Sequence, residues 1–367
     1  MIKVLSVIGT RPEAIKMAPV IGELKKYSDQ IISCVCVTAQ HRQLLDQVLN
    51  IFSIAPDYDL DVMQENQTLS QITGEVMSKL EPVLLREKPD WVLVQGDTTT
   101  VMTTALLAYY HRIRIAHVEA GLRTHDKFHP FPEEINRKVA DVVADLHFAH
   151  TEKAKENLLS EGVNEAKIYV TGNTVIDALL YTVKRPCRLD GHLAGIPWDK
   201  RIILVTAHRR ENFGKPLVAI CHALLEIVDS HPEAHIIYPV HPNPNVQEPV
   251  RSLLGMNGRI SLLEPLDYLT FVHLMQRSYL ILTDSGGLQE EAPSLGRPVL
   301  VLRQTTERVE AVQAGAAIVV GTAKESITSH VHRLLEDNQL YERMASVLNP
   351  YGDGRASERI VRTLLEQ

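Results

Sequence analysis

Short runs of β-branched and other apolar residues alternate with longer stretches of helical period along the whole chain. That alternation admits few folds: it predicts βαβ units and mostly parallel sheets. In the first half the strand-sized runs lie near Ile2–Ile8, Ile31–Val37, Tyr58–Leu60, Trp91–Gln95, Arg114–Val118, Leu146–Ala149 and Lys167–Val170. Over 68–88, Ile72, Val76, Leu80, Val83 and Leu84 recur at spacings of three and four, which lays one apolar stripe on a helix. The rhythm breaks from Lys184-Arg185-Pro186-Cys187 to Gly195-Ile196-Pro197 and resumes near Arg201–Thr206, His235–Val240, Arg259–Leu263, Tyr279–Thr283, Pro298–Leu302 and Ala317–Val320. The fold class is therefore α/β, with two doubly wound Rossmann-like domains, 1–183 and 201–350, a linker at 184–200 and a central cleft between the domains. A turn at Gly352-Asp353-Gly354 then leads into a helix with Ile360, Val361, Leu364 and Leu365 on one side, within a final segment 351–367.

Charge and composition remove several classes of function. Acidic residues outnumber basic ones, 45 to 38, for a formal charge of −7. No long Lys/Arg run supplies the footprint of a nucleic-acid binder. With 45% apolar and 23% charged residues, the chain is neither disordered nor fibrous. No apolar run approaches the roughly 20 residues of a membrane span, and the segment from Met1 to Gly9 lacks the apolar core of a secretion leader. A cytoplasmic protein with no nucleic-acid or membrane partner is expected. The 4 cysteines, Cys34, Cys36, Cys187 and Cys221, form no CxxC pair, so neither a disulfide framework nor a metal site is predicted.

In open α/β sheets ligands bind beyond the carboxyl ends of the strands, where helix N-termini present unpaired N–H groups. The polar residues there are the candidate site. Gly9-Thr10-Arg11-Pro12-Glu13-Ala14 follows the first strand, with Lys16 one turn on; taken alone, Arg11 and Lys16 fit solvated charges as readily as phosphate ligands. Asp97, after the fourth run, and Glu119, at the end of the fifth, could share one pocket as a proton-transfer pair. Asp97 equally suits a helix cap. Glu133 and Glu134 open a helix after a loop rich in His, Phe and Pro, where acidic residues commonly complement the dipole. A carboxylate from that loop would complete an acid/base set.

In the second domain His208-Arg209-Arg210 ends a strand and suits either a phosphate or a solvated turn, while His241-Pro242-Asn243-Pro244 reads as a rigid turn. Asp284-Ser285-Gly286-Gly287 stops a strand and bares backbone N–H groups at a helix start, which suits a diphosphate cradle better than a plain strand-to-helix turn capped by Ser285. Glu290 and Glu291 follow, suited to gripping vicinal hydroxyls such as those of ribose.

Taken together, Gly9-Thr10-Arg11-Pro12-Glu13, Gly96-Asp97-Thr98, Glu119-Ala120-Gly121-Leu122-Arg123, Pro132-Glu133-Glu134, His208-Arg209-Arg210-Glu211 and Asp284-Ser285-Gly286-Gly287-Leu288-Gln289-Glu290-Glu291 occur in one order. With Asn349-Pro350-Tyr351-Gly352-Asp353-Gly354, they resemble the bacterial non-hydrolysing UDP-N-acetylglucosamine 2-epimerases nearly end to end. The resemblance implies the glycosyltransferase-B architecture, a final helix returning to the first domain, and a homodimer. It implies Asp97, Glu119 and Glu133 as acid/base carboxylates and His208 at the leaving group. Arg11, Lys16, Arg209, Ser285, Gly286, Gly287 and Glu291 would hold the UDP-sugar, and no cofactor is implied. Gln40, His41, Gln43, Gln67, Arg210 and His241 match positions lining a pocket where some members bind UDP-N-acetylglucosamine as an activator. The chain departs from the family pattern at Asn66, where that pocket carries Arg, at His125 in place of a usual Gly, and at Gln304 and Val309.

The implied reaction is reversible C2 epimerisation of UDP-N-acetylglucosamine to UDP-N-acetylmannosamine, by elimination of UDP and re-addition to a 2-acetamidoglucal, for cell-surface polysaccharide synthesis. Three other functions fit the same elements: an epimerase of a modified UDP-N-acetylhexosamine, a glycosyltransferase of this fold, and a non-catalytic nucleotide-sugar sensor.

Overall fold

The computed structural model describes residues 1–38, 42–62, 64, 67–189 and 191–367. Among the described residues two sheets form, and their strands pair in parallel. The first contains β1 (Ile2–Ile8), β2 (Ile31–Val37), β3 (Tyr58–Asp59), β4 (Trp91–Gln95), β5 (Arg114–Ala120), β6 (Leu146–Ala149) and β7 (Ile168–Val170), in the spatial order β3-β2-β1-β4-β5-β6-β7. The second contains β8 (Arg201–Thr206), β9 (Ala234–Pro239), β10 (Ile260–Leu263), β11 (Leu280–Thr283), β12 (Val299–Val301) and β13 (Ala317–Val319), in the order β10-β9-β8-β11-β12-β13. Each sheet grows outward from its first strand and then reverses to that strand's other side. This is the doubly wound α/β arrangement that the sequence alternation predicts.

Central strands are covered on both faces, which is why they read as continuous apolar runs: all of β4 is buried. The stripe over 68–88 becomes helix Leu69–Glu87, started by a reciprocal Thr68–Gln71 capping box and ended by Lys88 at φ 45°. Its Val76, Leu80, Val83 and Leu84 pack in one cluster with Leu5, Val92 and Val94, each fully buried side chain contributing about 1.5–3 kcal/mol. β5 departs from expectation by continuing past Val118 to Ala120, with a register shift against β6 between those residues.

Met1–Tyr181 together with Tyr351–Gln367 form one compact unit, and Thr182–Pro350 form a second. In the first, helix Ala356–Leu365 packs on helix Arg11–Lys26. The buried Asp177 carboxylate accepts hydrogen bonds from Ala356 N (3.2 Å), Ser357 N (2.8 Å) and Ser357 Oγ (2.6 Å). Ile360, Val361 and Leu364 are buried, whereas Leu365 at the helix end is only half-buried. The second unit has its own core, with Ile203, Val205, Leu224, Ile236, Tyr238 and Leu282 among its residues. No helix among the described residues is long and apolar enough to cross a membrane.

Candidate active site

In the first unit the strand order reverses between β1 and β4, so the turns after these strands flank the switch point where doubly wound sheets bind ligands. Gly9 lies against Thr100 so closely that a Cβ would come within 2.5 Å of its hydroxyl. Only glycine lets the turn sit there. Arg11 opens the following helix and is half-buried. Glu13, in its first turn, accepts from Gly9 N (2.6 Å) and Thr10 Oγ1 (3.0 Å). Burial pushes its carboxyl up to about 7, with the Asp97 charge adding, against hydrogen bonds from Gly9, Thr98 and Thr10 that oppose the rise.

Lys16, one turn further, donates to the Glu119 carboxylate, which also accepts from Gln95 Nε2 at 2.6 Å. Glu119 sits at φ +66°, within the register shift at the end of β5. A left-handed conformation at a non-glycine residue costs about 1–3 kcal/mol, and such irregularities re-aim a side chain away from the regular pleat. Asp97 does not cap the next helix; Thr98 does, accepting from Val101 N at 3.3 Å. The Asp97 carboxylate instead meets the Arg137 guanidinium, and Asn136 Nδ2 donates to the Asp97 carbonyl at 3.0 Å.

Glu133 begins helix Glu133–Val143, three and four residues before Asn136 and Arg137, and therefore lies on the helix face that reaches Asp97. Its Oε2 is buried and finds no hydrogen-bond partner among the described residues. Glu134 does more than complement a dipole: its buried carboxylate accepts from Thr124 N and His125 N, both at 3.0 Å, and from Arg137.

In the second unit the order reverses between β8 and β11. Asp284, fully buried past the end of β11, accepts from His208 N (2.8 Å), Arg209 N (2.8 Å) and Asn212 Nδ2 (2.9 Å), which fixes the turn after β8. Arg209 Nε also donates to the Asp284 carbonyl at 3.0 Å. His208 is half-buried and stacks on His241 with ring centroids 5.5 Å apart. Burial lowers its pKa, with the His241 and Arg209 charges adding, and this outweighs the pull of Asp284. Its resting form near neutral pH is therefore uncharged.

Ser285 precedes the short helix Gly286–Glu291 without capping it through its hydroxyl. Arg308 stands over Gly286 and pairs with Glu290 (2.7 Å), while a Glu291 carboxylate oxygen turns towards Gly287. Of the residues implied as an activator pocket, Gln40 and His41 lie outside the described residues, as do Asn66 and the side chain of Gln43. Gln67 is engaged locally, donating to the Val62 carbonyl (2.8 Å) and accepting from Gln64 N (2.9 Å). Arg210 and His241 are exposed.

The sequence motifs alone do not mark Gln95, Glu134 or Arg137 as the supports of these carboxylates and turns. The signal the sequence offers is a polar residue inside an apolar strand, as with Gln95. Among the described residues no cluster of His, Cys, Asp or Glu is placed to hold a metal ion.

A family model described as UDP-N-acetylglucosamine 2-epimerase matches residues 23–365. The UDP-N-acetylglucosamine 2-epimerase of Escherichia coli K12 is 54% identical over 370 residues, covering 99% of this chain and 98% of that protein. The crystal structure of the Neisseria meningitidis UDP-GlcNAc 2-epimerase bound to UDP-GlcNAc superimposes with a TM-score of 0.92 at 50% identity, covering 100% of both chains. The Methanocaldococcus jannaschii enzyme in complex with UDP-GlcNAc and UDP gives 0.81 at 38% identity, again over 100% of both. With half of all positions shared along its whole length and the same backbone course, this chain belongs to the UDP-N-acetylglucosamine 2-epimerase family.

Proposed function

We propose that the protein is a non-hydrolysing isomerase that interconverts UDP-N-acetylglucosamine and UDP-N-acetylmannosamine. The observation that carries this reading is Glu119, a buried carboxylate set at positive φ and gripped by Lys16 and Gln95, in a chain 54% identical to an enzyme of that name. No carbonyl adjoins C2 of the sugar to stabilise a carbanion, so direct deprotonation is disfavoured. Loss of UDP from C1 acidifies the C2 proton instead. One carboxylate takes that proton, the C–H electron pair becomes the C1=C2 bond, and the C1–O pair leaves on UDP. In the return step the UDP oxygen re-forms its bond to C1 while a second carboxylate delivers a proton to the opposite face of C2.

Asp97, Glu119 and Glu133 divide these acid and base roles. His208, uncharged at rest, donates an N–H to the departing diphosphate, and Arg11, Arg209, Ser285, Gly286, Gly287 and Glu291 hold the UDP portion. Lys16 holds the Glu119 carboxylate in place. The setting we propose is a cytoplasmic homodimer that supplies a precursor for cell-surface polysaccharide.

Incubation with UDP-N-acetylglucosamine in deuterated buffer tests the reading. NMR should show both epimers with deuterium at C2, and turnover without label would overturn it. Consumption only when an acceptor alcohol is added would identify a glycosyltransferase instead. Asp97→Asn and Glu119→Gln should each lower kcat by about 10²–10⁴-fold.

A further inference from the structure

Beneath the turns that carry Asp97 and Glu119 lies a fully buried ring, His117 on β5, which the proposed chemistry leaves without a role. Its Nδ1 is 2.6 Å from Asp141 Oδ1 and its Nε2 is 2.7 Å from the carbonyl oxygen of Gly96. A carbonyl can only accept. The other Asp141 oxygen already receives N–H groups from Arg123 (2.7 Å) and Gly121 (3.3 Å), as an ionised carboxylate does. Neutral imidazole has a single N–H, so either tautomer would aim a bare lone pair at one of the two oxygens. With both nitrogens protonated, both contacts become hydrogen bonds.

We infer that His117 is held as a permanent imidazolium and serves as the positioning residue that locks the turns carrying Asp97 and Glu119 in one geometry, a role that rests on the epimerase reading above. Gly96 immediately precedes Asp97, and Gly121, reached through Asp141, follows Glu119 by two residues. One proton thus ties together the ends of β4 and β5.

The charged neighbours agree. Burial alone would lower the ring's pKa, but the charge and hydrogen bond of Asp141 and the Gly96 carbonyl outweigh it and raise it, against a smaller opposing push from Arg123. Burial works against the Asp141 carboxylate as well, yet His117 and Arg123 hold it down at about 2. Arg123 is itself anchored by Glu161 at 2.9 and 2.7 Å. From β6, His147 sets Nε2 at 2.8 Å from the Asp141 carbonyl, and burial depresses its pKa, so it brings no competing charge at neutral pH.

Two measurements test the inference. In the full-length protein with ¹⁵N-labelled histidine, and with the His117 signals assigned by their loss in His117→Gln, NMR from about pH 6 to 9 should show two protonated ring nitrogens that do not titrate where histidine ordinarily does, near 6.5. A ring with one protonated nitrogen, or one titrating near 6.5, would overturn the inference. This readout uses the wild-type chain and does not depend on the reaction.

Kinetically, His117→Gln and Asp141→Asn should lower kcat and C2 deuterium exchange by about 100-fold, the scale of a 1 Å misplacement, while UDP affinity and KM change by less than about 3-fold. In Asp141→Asn, activity should additionally fall as pH rises through the lowered pKa of the ring. Wild-type-like kcat in a folded variant would overturn the positioning role. Absence of epimerisation by the wild-type protein would instead sink the functional reading, and the spectra alone would then judge the imidazolium.

Discussion

Glu13 is the residue at which ionisation and folding are most directly linked. Its carboxyl is raised from 4.5 to about 7, with burial the main cause. The folded chain therefore prefers the protonated acid. Stability from this group is complete below about pH 4.5 and is lost as pH rises through 7, a loss approaching about 3 kcal/mol. Urea titrations at stepped pH should show that decline in the wild type, and Glu13→Gln, which cannot ionise, should flatten it. An unchanged slope in the variant would show that the decline arises elsewhere. The motif containing Glu13 was legible in the sequence. Its burial was not, because it depends on the Thr98 turn 85 positions away, as does the choice of Thr98 over Asp97 as the helix cap.

At the scale of elements, the end of β5 is where the regular pleat breaks to place Glu119, the carboxylate proposed above as an acid or base. Periodicity predicts a strand closing at Val118, but the backbone carries on through Glu119 at φ +66° to Ala120. The strain is held by what surrounds it. Gly121, at φ +84°, presses on helix Glu152–Ser160, where Asn157 Nδ2 donates to its carbonyl at 3.0 Å, and a Cβ there would run into the Ala154 carbonyl oxygen. Gly121→Ala should therefore destabilise the first unit by about 2 kcal/mol or more. It should also depress kcat by moving Glu119, measurable as a lowered Tm together with slowed C2 exchange. The glycine was visible in the sequence as part of a motif; its closeness to a helix over 30 residues later was not.

Considered as a whole molecule, the chain closes its first unit with its last residues. Helix Ala356–Leu365 lies on helix Arg11–Lys26 and buries Ile360, Val361 and Leu364. At about 1.5–3 kcal/mol for each buried side chain, this contact is comparable to the 5–15 kcal/mol stability of a typical domain. Removal of residues 351–367 should abolish cooperative unfolding of the first unit in calorimetry while leaving a separate transition for Thr182–Pro350, whose core contains none of the deleted residues. Survival of both transitions would show that the returning helix is dispensable.

The amino-acid sequence by itself determined the α/β class, the position of nearly every strand and the turns where the polar motifs fall, because these follow from patterns repeating every two to four residues. The three-dimensional structure alone decided which residues meet: Lys16 with Glu119 across 103 positions, Arg137 with Asp97 across 40, and His117 with Asp141 across 24. Those pairings depend on the spatial order of the strands and on a backbone bent from its regular course, and the burial that makes each consequential exists only once distant segments exclude water together.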